Sequence, residues 1–242
     1  MENKEYLNIR EAADFLQVAV ITLRRWDKEG KLKSTRKGER GHRFYRRVDL
    51  ELFKTNLFEL SFNWAKNTEG KEPEKQFYCQ NSAIFQARLA SLAEELKQLP
   101  ELKELYPIIA AIAGEIGDNS FAHNLGNWPD TPGIFFGYNI NKKEIVLADR
   151  GLGILYTLQR VKPELKNHKE ALNTAFTEII SGRAPESRGN GLKFVRREIA
   201  KTSLNLIFQT GDAVLTIKHS SAKLNIKKSD AFLKGCLAFI KF

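Results

Sequence analysis

The sequence has few cysteines and no long hydrophobic run. Its two cysteines, Cys79 and Cys236, lie far apart, and neither has the spacing of a metal site or a redox pair. We therefore expect two reduced and structurally neutral thiols. No apolar stretch approaches the roughly 20 residues of a membrane-spanning helix, and the opening residues MENKEYLNIR contain no hydrophobic signal region. These absences predict a cytoplasmic protein without a membrane partner.

Acidic residues are outnumbered, and the excess of positive charge is concentrated near the N-terminus. The 242 residues include 39 Lys and Arg against 29 Asp and Glu, a net charge of +10. Residues 22–47 hold eleven basic residues against three acidic ones, a local net charge of +8. Such a block favours a polyanionic partner. The length allows one large or two modest domains, and the sequence has no internal repeat.

The first part of the chain predicts two short helices and a hairpin. Apolar residues follow helical spacing through residues 8–32, with a break near residues 17–19, and Gly30 ends the second helix. Two basic segments around Gly38 and Gly41 are typical of a small β-hairpin, and a third helix is expected over Val48–Phe53. Such an arrangement can place one helix in a DNA major groove while the hairpin, as a wing, contacts phosphates.

Six side chains are candidates for DNA contact, three on the second helix beside its apolar residues and three on the wing: Thr22, Arg24, Arg25, Arg36, His42 and Arg43. The pattern EAADFL…TLRRWDKEGKL…GHRFY…DLELF resembles the MerR/excisionase-type winged helix-turn-helix. The resemblance implies a mostly α DNA-binding domain over residues 1–63 and double-stranded DNA as a partner. At residues 17–19 the chain has Gln-Val-Ala, where the family often has Gly-Val-Ser, so a serine N-cap worth about 1 kcal/mol is missing.

A small basic helical domain whose charges are only solvated is the alternative interpretation, but it does not account for the positions of the Trp, Gly, His and Tyr residues. Residues 64–81 are polar, contain Gly70 and Pro73, and predict a linker. Helical periodicity returns over residues 82–98. This helix can form a dimer interface or pack on the second domain, and the sequence leaves both open.

The next predicted helix, Leu102–Asn124, changes character along its length. Its first part is apolar, whereas the following GEIGDNSFAHN places Glu115, Asn119 and His123 at i, i+4 and i+8, on nearly the same side. Polar groups on a core-facing side cost free energy unless something binds them. The helix therefore either reaches the surface here or lines a ligand site.

Two glycine-rich motifs follow this helix. Two strands are expected over Gly133–Asp149, and the second runs into DRGLG, which contains Asp149, Gly151 and Gly153. Later, RGNGLKFVRREIAK is a glycine-rich loop that enters an amphipathic helix, whose first backbone N–H groups form an anion site. Two further strands are expected over residues 204–210 and 213–218, before an apolar tail that either packs on the domain or docks a partner.

The three motifs occur in the order of the N, G1 and G2 boxes of the GHKL superfamily of ATP-binding domains, which includes gyrase, MutL and histidine kinases, and residues 102–218 resemble it. The resemblance implies that residues 82–242 form an α+β sandwich of the GHKL (Bergerat) type that binds ATP and Mg²⁺.

The resemblance also implies a role for each matching residue. Asn119 coordinates Mg²⁺, Asp149 accepts from the adenine amino group, and Glu115 activates water in the members that hydrolyse ATP. The remaining ATP-binding positions are His123, Gly151, Gly153, Arg188, Gly189, Asn190, Gly191, Leu192 and Lys193. For His123 an ordinary helix-end histidine is an equal alternative. The insert at residues 157–187 corresponds to an ATP lid.

We therefore expect an ATP-binding DNA-binding protein, a nucleotide-responsive transcriptional regulator that acts as a homodimer. One alternative is a GHKL serine kinase that modifies a separate STAS-like protein. Another is a slow, Mg²⁺-dependent ATPase in a mobile-element, defence or toxin–antitoxin system, since the residues after Lys218 are too few for a transducer domain. A classical histidine autokinase is not expected, because none of the four histidines lies in residues 76–113, where the phospho-acceptor helix belongs.

Overall fold

The computed structural model describes residues 4–37, 41–180, 190–220 and 224–242. The chain divides into two compact units. Unit 1 comprises the residues up to Leu57 together with Asn139–Lys143, and unit 2 comprises Phe58–Tyr138 and Glu144–Phe242. The division lies at Leu57, whereas the sequence places the end of the first domain at residue 63.

Unit 1 is a small helical domain with a three-stranded antiparallel sheet. Its elements are β1 (Tyr6–Asn8), α1 (Ile9–Leu16), α2 (Val20–Lys28), β2 (Thr35–Lys37), β3 (His42–Arg46) and α3 (Arg47–Lys54). The strand order is β1-β3-β2. The two helices, the hairpin and the third helix of the sequence-based prediction are confirmed. The short strand β1 was not predicted; it adds to the sheet by pairing Leu7 with Tyr45.

Local contacts explain where the first two helices begin and end. The Asn8 side chain accepts from the backbone N–H of Arg10 and Glu11 at 2.9 and 3.1 Å, and the Glu11 carboxylate accepts from Asn8 N, which forms a capping box. Gln17 takes the left-handed conformation between the helices at φ 56°. Ala19, the N-cap of α2, makes no side-chain capping bond, as expected from the missing serine.

The core of unit 1 forms where the apolar faces of these elements meet. Leu23 is fully buried, and the Tyr45 hydroxyl donates to its carbonyl at 3.4 Å. Trp26 packs against Phe53 of α3 with ring centroids 5.1 Å apart. The other buried members of the cluster are Leu7, Ala12, Ala13, Leu32 and Leu50. This core holds α2 at a fixed angle and leaves its polar side exposed.

Unit 2 is built around a five-stranded sheet of order β4-β5-β6-β8-β7. Its helices are α4 (Leu57–Lys66), α5 (Ser82–Lys97), α6 (Tyr106–Asn124), α7 (Gly153–Gln159), α8 (His168–Thr177) and α9 (Gly191–Lys201). Its strands are β4 (Tyr78–Cys79), β5 (Ile134–Asn139), β6 (Glu144–Asp149), β7 (Asn205–Ile217) and β8 (Asn225–Lys241). No helix among the described ranges is long and apolar enough to cross a membrane.

Helices cover both faces of this sheet. On one face α6, α8 and α9 pack on each other and on the strands, and Phe176 of α8 meets Phe208 of β7 at 5.4 Å. Phe208 pairs with Ala238, so the next residue of β8, Phe239, points to the opposite face. There it contacts Phe58 of α4 at 5.3 Å. The sheet therefore separates α4 from the α6–α9 layer.

The range predicted as a linker contributes ordered parts of unit 2. Trp64 lies in α4, Phe77 is buried and stacks on Phe135 at 5.0 Å, and β4 pairs with β5. Large aromatic side chains bury enough apolar area to order an otherwise polar segment. The predicted helix over residues 82–98 is α5, and it packs on α6, where the Phe85 ring lies directly over Gly117.

The C-terminal part differs from the prediction in its strands. The two strands expected over residues 204–210 and 213–218 are one continuous strand, β7, with a register shift at Gly211 in place of a turn. The apolar tail forms β8, which lies between β6 and β7 and therefore packs within the domain. The expected insert is also partly ordered, because α8 buries Leu172 and Phe176.

Candidate functional site

A pocket in unit 2 lies between α6, the end of β6 and the start of α9. Its empty space, which includes the open mouth, measures about 800 Å³. Three segments that are far apart in the sequence meet here. The lining residues are Ile116, Asn119, Ser120, His123, Asn124, Asp149, Gly153, Ile154, Thr157, Leu158, Ala175, Ile180, Gly191, Leu192, Lys193, Phe208 and Cys236.

Asp149 is the most deeply placed ionisable group of this pocket. It is 2% exposed, accepts from Ser120 Oγ and Gly151 N at 2.8 Å each, and also accepts from the backbone N–H of Cys236. Burial raises the pKa of Asp149 above its usual value, and these three donors only partly oppose that shift. A carboxylate has about four acceptor positions, so it retains capacity for a donor on a ligand.

The loop after Asp149 is fixed by the last residue of α6. Asn124 Oδ1 accepts from Leu152 N at 2.8 Å, while its Nδ2 donates to the Ser120 carbonyl at 2.7 Å. A Cβ at Gly151 would lie 2.1 Å from Asn124 Nδ2, so only glycine allows this close approach. The side chain of Asn124 thereby joins α6 to the loop.

The start of α9 lies against the polar side of α6. A Cβ at Gly191 would lie 2.3 Å from Glu115 Oε2 and 3.4 Å from Asn119 Nδ2, so a larger residue would displace the Glu115 side chain and touch Asn119. Lys193 lines the pocket, and its Nζ donates to the Glu178 carbonyl. Burial lowers the pKa of Lys193, and Glu178 opposes this shift. The free N–H groups at the helix start and this ammonium group form an environment suited to an anion.

Most of the residues predicted from the three motifs come together at this pocket. Asn119, His123, Asp149, Gly153, Gly191, Leu192 and Lys193 line it. Glu115 is exposed beside Gly191, Gly151 contacts Asn124, and Asn190 is the N-cap of α9. Arg188 and Gly189 lie outside the described residues. The part of the predicted lid at residues 168–177 is a packed helix rather than a loop.

The sequence-based selection missed a second row of pocket residues on α6. Ile116, Ser120 and Asn124 also follow i, i+4, i+8 spacing, one position along from Glu115, Asn119 and His123, and all three line the pocket. Both rows lie in the same polar segment, so the spacing contained the signal. Cys236, in contrast, comes from β8, whose pairing the sequence did not predict; it lies opposite Thr210 of β7, whose Oγ1 accepts from Ile154 N at 3.2 Å.

The sequence led us to expect a cysteine with no part in a site, but Cys236 belongs to the pocket. It lines the pocket and donates its backbone N–H to Asp149. Burial, together with the adjacent Asp149 carboxylate, raises the pKa of the Cys236 thiol well above its usual value. Burial also raises the pKa of the Cys79 thiol, to about 11. Both shifts disfavour the thiolate, which is the reactive form of cysteine.

The described residues contain no group of three or more His, Cys, Asp and Glu that could hold a metal ion by itself. This composition fits Mg²⁺ only as an ion shared with a ligand, because Mg²⁺ keeps several waters and binds few protein oxygens beside phosphates. Asn119 in the pocket, with Glu115 nearby, offers such a small set of oxygen donors.

In unit 1 the six DNA-contact candidates have different environments. On α2, Arg24 and Arg25 are exposed, and Thr22 is half-buried. On the wing, His42 is exposed, but Arg43 Nε pairs with Asp27 Oδ2 at 2.6 Å and Arg36 Nη2 lies 3.4 Å from the same oxygen. Burial acts to raise the pKa of Asp27, but the bonds from Arg43 and Ser34 outweigh it and lower the pKa. Arg43 therefore ties the wing to α2.

Comparison with known proteins identifies one part of the chain. Residues 8–45 match the MerR family regulatory protein family, and this range covers α1, α2 and the wing. The type II methyltransferase M.Eco47II of Escherichia coli is 41% identical over 66 residues, which are 27% of this chain and 16% of that relative. The match thus spans less than a fifth of the relative's length. Residues 8–45 carry a MerR-type helix-turn-helix domain, which implies binding to double-stranded DNA.

Proposed function

We propose that this protein is a nucleotide-responsive DNA-binding regulator: unit 1 binds double-stranded DNA, and unit 2 is a GHKL-type domain that binds ATP with Mg²⁺. Occupancy of the pocket changes the affinity of the chain for DNA. A homodimer is part of the proposal, since a single winged module contacts only one half-site. The methyltransferase activity named for the relative is not proposed, because the match covers only 16% of it.

The observation that carries the proposal is the convergence of the three motifs at one pocket. The same cavity is lined by Asn119 on α6, Asp149 at the end of β6 and Gly191 at the start of α9. The first and the last of these residues are 72 positions apart in the sequence. The cavity is lined by a buried acceptor, Asp149, and by the N-terminus of α9. These features suit the base and the phosphates of a nucleotide.

Each side chain has a distinct part in the proposed binding. Asp149 accepts from the adenine amino group, and Ser120 and Gly151 N hold its carboxylate in place. The α9 start and Lys193 receive the phosphates, for which Lys193 exchanges its bond to the Glu178 carbonyl. Asn119 supplies an oxygen to Mg²⁺, which neutralises phosphate charge.

The test is a pair of reciprocal titrations on one sample of the full chain. ATP with Mg²⁺ is titrated by calorimetry with and without DNA, and DNA carrying random sequence or a selected operator is titrated by anisotropy with and without ATP. Coupling must have the same factor in both directions. Failure of the wild-type chain to bind ATP contradicts the nucleotide site, and equal DNA affinity with and without ATP contradicts the regulatory role.

Slow hydrolysis is a second candidate, and the position of Glu115 favours it. Its carboxylate lies beside Gly191 at the start of α9, where the phosphates bind in the proposal. A carboxylate in this place can accept a proton from an attacking water. Phosphate release that depends on Glu115 supports this activity. Transfer of labelled phosphate to a separate protein instead would favour the serine kinase alternative.

A further inference from the structure

Arg150 is a fully buried arginine that follows the pocket carboxylate directly in the chain. Its side chain is 0% exposed, although it does not line the pocket. Successive residues at the end of a strand point to opposite faces of the sheet. Asp149 accordingly points to the α6–α9 face and Arg150 to the face that α4 covers.

The guanidinium group of Arg150 joins two segments of unit 2. Nε and Nη2 form a two-pronged pair with Asp130 at 3.0 and 2.7 Å. Nη1 donates to the carbonyls of Trp64 at 2.6 Å and of Asn67 at 2.8 Å, with a longer contact to Ala65 at 3.5 Å. The last carbonyls of a helix have no partner within the helix, so Arg150 caps the C-terminus of α4 from outside.

This arrangement depends on arginine. A buried cation is tolerated only when its donors are satisfied, and the planar fork of arginine meets a carboxylate and the helix-end carbonyls at the same time. The ammonium group of lysine is a single point with three donors, so it cannot maintain both sets of bonds. The Arg150 guanidinium, first among several donors, holds the pKa of Asp130 far below its usual range.

A second connection runs parallel to the first through β8. A Cβ on Gly235 would lie 2.2 Å from Asp149 Oδ1, so its backbone packs directly on the pocket carboxylate. The preceding residue, Lys234, donates to Asp130 Oδ2 at 3.0 Å and to the Thr68 carbonyl at 3.4 Å. Arg150, which follows Asp149 in the chain, and Lys234, which precedes the residue packed on Asp149, therefore both bind backbone carbonyls at the end of α4.

That segment follows unit 1 along the chain. Helix α4 begins at Leu57, the residue at which unit 1 gives way to unit 2, and the segment Trp64–Lys71 follows at its other end. Trp64 Nε1 donates to the Lys71 carbonyl at 2.6 Å, which closes the segment into a tight loop. The loop therefore lies at the C-terminus of a helix whose first residue marks one of the boundaries between the two units.

We propose that Arg150 is a positioning residue that transmits occupancy of the Asp149 pocket to α4. The inference rests on the proposed function, since it needs a nucleotide in that pocket. A ligand bond to Asp149 displaces or stiffens residues 149–151, and Arg150, with Lys234 in parallel, passes this change to the Trp64–Lys71 loop. The coupling between nucleotide and DNA then depends on a residue that touches neither ligand.

Hydrogen exchange of the full chain tests this transmission without DNA. Exchange is followed by mass spectrometry with and without the non-hydrolysable analogue AMP-PNP and Mg²⁺, and calorimetry measures the affinity of the same samples for the analogue. In the wild type we expect the analogue to slow exchange by about threefold in peptides that cover residues 63–71, in addition to the pocket peptides. In Arg150→Lys we expect protection at the pocket only, with analogue affinity within about threefold of wild type.

The matched control is Arg88→Lys, because Arg88 also donates to two backbone carbonyls, those of Lys75 and Gln76, but has no bond to the α4 segment. It should leave both responses as in the wild type. If Arg150→Lys does not fold, Lys234→Met is used instead, since Lys234 is 43% exposed and its loss is better tolerated; a weakened response at residues 63–71 is then expected.

The outcomes separate the inference from the function on which it rests. A flat calorimetric titration of the wild type removes the nucleotide site and the inference with it. Binding with protection of the pocket alone leaves the function standing and overturns the inference. The same holds if Arg150→Lys, or Lys234→Met in its place, keeps the full response at residues 63–71, or if Arg88→Lys loses it equally.

Discussion

Ser120 Oγ donates a 2.8 Å hydrogen bond to Asp149 Oδ2 and thereby joins α6 to the end of β6 inside the pocket. The two residues lie 29 positions apart, and the bond fixes the carboxylate in a place where almost no solvent reaches it. An ionised carboxylate in such a place is costly, and its three hydrogen-bond donors offset that cost only in part, since its pKa is raised. The pair therefore gives the pocket a polar end whose burial lowers the stability of the fold and which is available to the proposed ligand.

The first prediction concerns Asp149→Asn. We expect nucleotide affinity to fall about 10- to 100-fold, because a charge-assisted hydrogen bond is lost. At neutral pH we expect Tm to rise by about 2–4 °C, because an amide removes the buried charge while it can still accept from Gly151 N and donate to Ser120 Oγ. Calorimetry and thermal unfolding of the ligand-free chain measure the two effects.

The pH dependence gives a control for this interpretation. The folded-state pKa of Asp149 is raised, so its contribution to stability is fully present below the unfolded pKa of about 3.9 and is lost as pH rises through the folded pKa. The advantage of Asp149→Asn should thus grow between about pH 4 and neutrality. A constant difference in Tm across this range would contradict the burial argument.

The second prediction separates chemistry from binding on α6. Glu115→Gln keeps the size and position of the side chain beside Gly191 but cannot accept a proton. We expect ATP affinity to remain and phosphate release, where the wild type shows it, to fall by about 100-fold or more. Asn119→Ala should instead weaken the Mg²⁺-dependent part of ATP binding. Unchanged turnover in Glu115→Gln would exclude Glu115 as the base.

The third prediction concerns the ion pair on the opposite face. Asp130→Asn leaves the buried Arg150 without its counter-charge, so we expect the free energy of unfolding of unit 2 to fall by about 3 kcal/mol at pH 7. The folded-state pKa of Asp130 is lowered, mainly by its hydrogen bonds with Arg150. Its contribution to stability is therefore fully present above the unfolded pKa of about 3.9 and is lost progressively as pH falls from there through the folded pKa. Urea unfolding at pH 7, 5 and 3 should show the wild type approaching the variant only at pH 3.

The fourth prediction distinguishes two kinds of arginine in unit 1. Arg24 is exposed on α2, so Arg24→Ala should reduce the slope of log affinity for DNA against log salt by about 0.9 if it contacts one phosphate. Arg43 is paired with Asp27 at 2.6 Å, so Arg43→Ala should lower the free energy of unfolding of unit 1 by about 1–2 kcal/mol in addition to any change in the salt slope. Lys97→Ala, on α5, serves as a charge-matched control. A slope unchanged in Arg24→Ala would remove Arg24 from the DNA contacts.

Local sequence signals predicted the elements whose causes are local. The spacing around Leu23 and Trp26 predicted α2, and the wing followed from the glycines between two basic segments. On α6 the row of polar side chains left open whether the helix reaches the surface or lines a ligand site; Asn119 and His123 line the pocket, whereas Glu115 is exposed. The strand β8 could not be predicted as the partner of both β6 and β7, because its pairing is set by residues far away in the chain.

The amino-acid sequence by itself determined the helix-turn-helix, the basic surface around it and the residue types at three motifs, because capping, periodicity and charge act over a few neighbouring positions. Only the tertiary structure decided that the motifs share one pocket with Ser120, Asn124 and Cys236. It also decided that Asp149 and Arg150, adjacent in the chain, point to opposite faces, one to the pocket and the other to the end of α4. Such placements arise from long-range packing of a sheet between two layers, and no local pattern specifies them.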